Sequence, residues 1–172
     1  MPLRHHHSNP PIPTVEIIVR GWLGAVAGMG LVAWLSYSWL PESGYFLTIG
    51  SFGASSVLLF AITASPYTQP RNLFGGHAVS ALVGVGCFLL LGEHPVLAIP
   101  LAVATAIAAM QITRTLHPPG GATALIAVIG PDEVQALGFA YLVPVMSGVA
   151  ILFLSAYLSN NLFAKERRYP TY

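Results

Sequence analysis

Charge, and above all its absence over long stretches, constrains this chain most. The thirteen charged residues stand at Arg4, Glu16, Arg20, Glu42, Arg71, Glu93, Arg114, Asp132 and Glu133, and in the terminal run Lys165, Glu166, Arg167 and Arg168. Between them lie six charge-free windows: 21–41, 43–70, 72–92, 94–113, 115–131 and 134–164. A helix needs about 20 apolar residues to cross ~30 Å of hydrocarbon. Five windows reach that length and 115–131 nearly does. The chain is 55% hydrophobic and 8% charged, against roughly a quarter charged in a soluble domain. So few charges cannot clothe a water-facing surface, which argues against a soluble enzyme. A net charge of +1 gives no field to hold nucleic acid. The lone Cys87 supports neither a disulfide framework nor a cysteine-built metal cluster. An all-α transmembrane protein is what remains, with the lipid bilayer as its first partner and no cofactor or metal expected.

The signs of the charges alternate along the chain. A basic N-terminus precedes an acidic loop at Glu42, a basic loop at Arg71, an acidic one at Glu93, a basic one at Arg114, the pair Asp132–Glu133 and a basic C-terminus. Lys and Arg favour the cytoplasmic side, so both termini and the Arg71 and Arg114 loops are expected inside. Six membrane segments follow, and the competing count is four full spans with two re-entrant segments. The expected organisation is a flexible tail over 1–15, one transmembrane domain over 16–164 and a short solvated tail over 165–172. The tail has no apolar core of a cleaved signal peptide. His5, His6 and His7 read as a flexible tract or as a short metal-binding one.

Two windows do not read as plain helices. The fifth opens Thr115-Leu116-His117-Pro118-Pro119-Gly120-Gly121-Ala122-Thr123 and stops at Gly130-Pro131. Proline pushes the residue before it out of helical geometry and is a starting signal in a first helical turn. A helix is therefore predicted from about Pro119 to Gly130. Some 12 residues at 1.5 Å each give roughly 18 Å, too short to cross alone. The residues ahead of it must enter extended, and such backbone survives at depth only inside protein or beside a cavity. The second window carries Gly50-Ser51-Phe52-Gly53-Ala54-Ser55-Ser56 before an apolar run ending at Ser65-Pro66. Setting 53–58 over 121–126 gives two identities and four similar pairs at an offset of 68 residues. Taken as real, the match predicts two inverted three-segment repeats with short broken helices at the second and fifth segments. Taken as accident, it reflects a chain rich in small residues.

The chemistry of such starts is anion recognition. The first N–H groups of a helix lack internal partners and carry the positive end of its dipole. Glycine and alanine leave those groups uncovered, and hydroxyls add donors. Gly53, Ala54, Ser55 and Ser56 from one half and Gly120, Gly121, Ala122 and Thr123 from the other are the candidate substrate-binding residues. Two opposed helix N-termini near the midplane would form an uncharged cradle for a small anion, one that also lets it leave. The plainer reading is close helix packing, which suits Gly21, Gly24, Ala25, Gly28 and Ala33, and which stays open for 53–56. Arg71 and Arg114 are either topology anchors or attracting charges at a pore mouth. His77 and His117 are ionisable at depth and hence candidates for gating or proton linkage, or neutral groups bonded between helices. A zinc site from His77, His94 and His117 would need ligands from opposite faces. No Asp or Glu lies inside any window, so a cation path lacks its usual ligand and an anion path fits better.

The run from His117 to Leu125 resembles the signature of the HPP integral membrane proteins. Residues 50–61, and Gln69-Pro70-Arg71-Asn72 with Gly75-Gly76-His77, look like two further hallmarks, and the resemblance spans about residues 15–160. It implies a transporter of the bacterial cytoplasmic membrane. Cyanobacterial and plastid members are associated with nitrite transport, which suits the cradle. The family has been described with four spans, where the charge alternation gives six. With no CBS domain in this sequence, regulation through one is not expected. The resulting expectation is a transporter or channel for nitrite or a similar small monovalent anion, working as a homo-oligomer, dimer or trimer. Two rivals stand: a membrane enzyme with His117 and His77 as acid–base groups and Ser55 or Cys87 as nucleophile, and a scaffold or sensor without a permeant.

Overall fold

The computed structural model describes residues 11–38, 50–162 and 169–171. The 5–7 histidine tract, the Glu42 loop and the 165–168 charges lie outside these residues. Helices are α1 (Val15–Ser38), α2 (Gly50–Ala61), α3 (Pro70–Leu91), α4 (Pro95–Ile112), α5 (Pro119–Ile129), the short α6 (Asp132–Ala136) and α7 (Leu142–Leu162). Single 3-10 turns at Pro66–Thr68 and Gly138–Tyr141 lead into α3 and α7.

Among the described residues, four helices are long and apolar enough to cross a membrane: α1, α3, α4 and α7, the last counted with the turn before it. The second and fifth segments hold helices of 12 and 11 residues. At 1.5 Å per residue these reach under ~20 Å, so the expectation of six helical spans reduces to four helices of spanning length and two short ones. The short pair falls where glycine and proline predicted it, and α5 starts at Pro119 and ends one residue before Gly130.

Hydrogen bonds gather several segment ends together. Arg71 Nη2 donates to the Thr113 carbonyl at 3.2 Å and Asn72 Nδ2 to the Leu116 carbonyl at 2.7 Å. The Tyr169 hydroxyl donates to the Thr68 carbonyl at 2.8 Å, and the Thr171 amide to Gln69 Oε1 at 2.9 Å. Pro13, Ile17 and Arg20 share a pocket of about 410 Å³ with residues 61–64, Asn160 and Tyr169. The starts of α1, α3 and α5 thus meet the ends of α2, α4 and α7, and successive segments reverse direction. The expectation of a solvated C-terminal tail is corrected for 169–171. Tyr169 is 2% exposed, and burial pushes its phenol pKa up, which keeps it a donor.

Small residues set the spacing. Gly24 and Gly28 are the buried face of α1, and a Cβ on Gly24 would stand 2.7 Å from the Phe60 ring and 2.7 Å from Ser159 Oγ. The packing reading of this glycine stripe holds. On α3, Gly76, Ser80 and Gly84 recur every fourth residue and are buried; Gly84 lies against the backbone of Ala124. Such spacing lets helices approach closely where lipid offers no hydrophobic drive. The bundle follows: α1 packs on α2 and α7, α4 on α5 and α3, α2 on α5 and α7, and α3 on α5 and α7. Phe52, Leu59, Val145, Val149 and Leu152 form its core.

Gly148 tests this packing, because a Cβ there would clash with the Phe52 ring. Gly148→Ala should destabilise by about 1–3 kcal/mol through overpacking, read as a lower melting temperature in detergent. Adding Phe52→Leu should restore part of the loss.

Candidate functional site

The polar centre is built by the residues that hold 113–118 in place. Helix α4 closes with the Thr115 amide on the Met110 carbonyl at 2.8 Å and the Arg114 amide on the Gln111 carbonyl at 3.1 Å. This is the doubled closure of a Schellman motif, and its left-handed position is filled by Arg114 at φ 56° where glycine is usual. Residues 115–117 are non-helical and press against the first turns of α3. A Cβ on Gly75 would meet Thr115 Cγ2 at 2.5 Å, and one on Gly76 would meet the Thr115 carbonyl at 2.8 Å and clash with His117 Cβ. The paired glycines make room for the extended strand, and Asn72 ties its Leu116 carbonyl.

His117 enters the bundle on this strand and joins a ladder of buried polar groups. Its Nδ1 lies 2.7 Å from the Tyr67 carbonyl and its Nε2 lies 3.0 Å from Ser55 Oγ. The same Ser55 oxygen is 2.9 Å from His77 Nε2. His77 Nδ1 is 2.7 Å from Thr123 Oγ1, which is in turn 2.9 Å from Ser51 Oγ. Ser51, Ser55, His77, His117 and Thr123 are each 0% exposed. The Tyr141 hydroxyl donates to the Thr123 carbonyl at 3.3 Å, and Phe52 meets the His77 ring edge-on, centroids 5.7 Å apart. Three helices, one turn and the non-helical segment that carries His117 therefore contribute to an uncharged chain in which each ladder group has a partner, as a low-dielectric interior demands.

The expected site residues divide. Ser55 and Thr123, one from each short helix, converge on His77, and His77 and His117 stand 4.9 Å apart between ring centroids. Gly53 and Ala54 are exposed on the opposite face of α2, and no heavy atom lies within 4 Å of a Cβ built on Gly53. Ser56 Oγ has no hydrogen-bond partner among the described residues and lines an apolar groove of about 340 Å³ between α1 and α2. Gly120 is buried with a Cβ position 2.6 Å from Ser80 Oγ; Gly121 and Ala122 are half-buried. Arg71 holds the Thr113 carbonyl, and Arg114 is exposed at the same end. His94 starts α4 at the far end.

Two expectations about the cradle are corrected. Gly50 lies beside Ile126, Ser51 beside Thr123 and Ser55 beside His117, so α2 and α5 run antiparallel, side by side, and their N-termini do not face each other. The amides of α5 are also engaged. Pro118 and Pro119 have none, the Gly120 amide donates to the His117 carbonyl at 2.8 Å and the Gly121 amide to the Pro118 carbonyl at 3.2 Å. Side chains, rather than bare amides, make this site. Ser51, Tyr67 and Tyr141 were not among the expected residues. Ser51 was accessible from spacing, since it precedes Ser55 by one helical turn; the Tyr67 carbonyl carries no sequence signal.

Asn72 tests the clamp. Asn72→Asp replaces its donor to the Leu116 carbonyl with a repelling acceptor. It should lower stability more than Asn72→Ala, which forfeits only about 1 kcal/mol for a lost hydrogen bond. Equal melting temperatures for the two variants would remove the clamp from the account.

Comparison with known proteins finds relatives that are transmembrane proteins. The chain is 42% identical over 168 residues to one transmembrane protein of Dictyostelium discoideum and 41% identical over 168 residues to another. Those alignments take in 95% of this chain but 58% and 53% of the relatives, so the chain spans little more than half their length. No solved structure matches it. The model of the HPP transmembrane region matches residues 10–170; with its ladder strung on the His-Pro-Pro strand, the chain belongs to the HPP transmembrane family.

Proposed function

We propose that this chain carries a small monovalent anion across a membrane, nitrite being the anion that the family resemblance names. One observation carries the reading: a continuous ladder of neutral donors buried at the heart of a lipid-type bundle, from Ser51 near the start of α2 to the Tyr67 carbonyl beyond its end. Ionisable groups at such depth are costly unless they serve a path or relay. Hydroxyls and imidazoles solvate an anion without the fixed charge that would trap it. Arg20, Arg71 and Arg114 collect at the end where the Tyr67 turn lies, which favours that end, with both termini, as the cytoplasmic one.

An inverted repeat underlies the reading. Exchanging α1 with α4, α2 with α5 and α3 with α7 leaves the set of packed helix pairs unchanged. The same 68-residue offset relates two tight contacts across these pairs: Phe52 against Gly148, and Gly120 against Ser80. Ser55 and Thr123 are then equivalent and lie on the exchange axis, where such folds place their substrate. Short α2 and α5 wall off little protein, which supports a homo-oligomer.

One observation favours a rival. Ser55 Oγ sits within reach of two imidazoles, the arrangement of an activated nucleophile. Burial of Ser55 at 0% exposure argues for a guest no larger than a few atoms. A serine-directed fluorophosphonate should leave Ser55 unlabelled, and labelling that Ser55→Ala abolishes would favour the enzyme.

Purified protein in liposomes decides the transport question with nitrite, nitrate, formate and chloride. Nitrite should move well above protein-free vesicles, and Ser55→Ala should raise its KM roughly tenfold for one lost bond to a charged guest. Arg114→Asn keeps a residue that tolerates positive φ and removes the charge, so lowered flux there isolates electrostatic attraction. No flux of any of the four anions would overturn the reading.

A further inference from the structure

With every group neutral the ladder has one complete hydrogen-bonding pattern. One added proton permits others, and of these it is the one with His117 loaded and the Ser55 hydroxyl turned that reverses the whole chain. The Tyr67 carbonyl accepts and cannot donate, so His117 Nδ1 carries a hydrogen. With His117 neutral, its Nε2 is an acceptor and must receive the Ser55 hydroxyl hydrogen. Ser55 then accepts from His77 Nε2–H and His77 Nδ1 accepts from the Thr123 hydroxyl, so the contact in which Thr123 donates to Ser51 in this structure must turn round, with Ser51 donating to Thr123. Every hydrogen points toward Tyr67. With His117 doubly protonated, its Nε2–H donates to Ser55, Ser55 donates to His77 Nε2, His77 Nδ1–H donates to Thr123 and Thr123 donates to Ser51. Every bond but the one to Tyr67 has reversed.

We propose that the ladder is a one-proton switch, in which loading His117 reverses the chain and turns the Ser51 hydroxyl outward as a donor for the anion. The coupling to an anion rests on the transport reading above. The protons balance. One proton arrives at Ser51 Oγ, and Ser51 passes its own hydrogen to Thr123. Thr123 passes its hydrogen to His77 Nδ1, His77 passes Nε2–H to Ser55, and Ser55 passes its hydrogen to His117 Nε2. The net result is one proton gained, held as the His117 imidazolium. Unloading runs the same hops backwards. In the loaded state Ser51's hydrogen no longer serves Thr123 and is left for another acceptor; Ser51 lies in the first turn of α2, whose amides also lack helical partners. A positive charge and a new donor appear together, so anion and proton bind better jointly than singly, and by linkage each raises the other's affinity.

The surroundings of His117 leave its charge to this chain. From α2 it meets Ser55, from the turn the Tyr67 carbonyl, and from α3 the titratable His77. Arg71 at the start of α3 is engaged with the Thr113 carbonyl, Arg114 is exposed in the α4–α5 loop, and Tyr141, ahead of α7, bonds the Thr123 carbonyl. No carboxylate joins these groups among the hydrogen bonds of the described residues.

The test reads the imidazole nitrogens directly. Full-length protein labelled with ring-15N histidine, in lipid bilayers, should show His117 as Nδ1–H and His77 as Nε2–H near neutral pH. As acid loads His117, His77 should change to its Nδ1–H form at the same midpoint while staying neutral. In Ser55→Ala the two events should separate, and Thr123→Ser, which keeps the hydroxyl, should behave as the parent. A His77 that holds its tautomer through the titration of His117, or takes up a proton of its own, overturns the switch. So does a His117 that never protonates while the protein stays folded. In liposomes the switch predicts one proton taken up per nitrite and faster uptake when the outside is made acidic. Nitrite flux with no proton movement would overturn the coupling and leave the transport reading intact. The paired tautomer change without any anion flux would sink the transport reading and leave the switch standing.

Discussion

A polar group inside a membrane bundle has no water to fall back on, so each must find its partner in the protein, at a cost of several kcal/mol if it fails. In this molecule that constraint concentrates on one hydroxyl. Ser55 Oγ is shared by His77 and His117, and without it the Nε2 atoms of both rings would lose this buried partner. The outer nitrogens of the two rings are fixed in turn by Thr123 and by the Tyr67 carbonyl. Four separate stretches of chain are thereby obliged to converge on one point.

The small residues are the means of that convergence. Gly75 and Gly76 clear the path of the strand that carries His117, Gly84 lets α5 approach α3, and Gly148 accepts the Phe52 ring that rests on His77. Asn72 and Arg71 hold the strand by its carbonyls. The C-terminal Tyr169 binds the Thr68 carbonyl, one residue from the carbonyl that orients His117, so even the chain end bears on the centre. Packing and polar satisfaction here are one design: the glycines act on the helix positions, and the helix positions decide whether the ladder closes.

Much of this was legible in the residues. Charge-free windows pointed to the apolar segments, of which four hold helices of spanning length and two hold short ones, and proline with glycine placed both ends of α5 within a residue. The similarity between 53–58 and 121–126 pointed to the two short helices that lie side by side at the centre. Less legible was which face of α2 turns inward: Gly53 and Ala54 read as binding residues because they are small, yet the inward face is Ser51, Phe52 and Ser55, one turn apart. The facing N-termini failed for a related reason. Sequence specifies where a helix starts but not whether its neighbour runs beside it or toward it, and the Gly120 and Gly121 amides are consumed by carbonyls that only the folded strand presents. The docked Tyr169 could not be read from a tail of mixed charge.

The central claim is that the buried polar groups act as one unit rather than as separate contacts. A double-mutant cycle between Ser55→Ala and Thr123→Val, read as unfolding free energies of the purified protein, tests it most directly. The two side chains do not bond each other and meet only through His77. A shared network predicts an interaction energy of about 1 kcal/mol or more, whereas additivity within about 0.5 kcal/mol, the behaviour of independent sites, would contradict it.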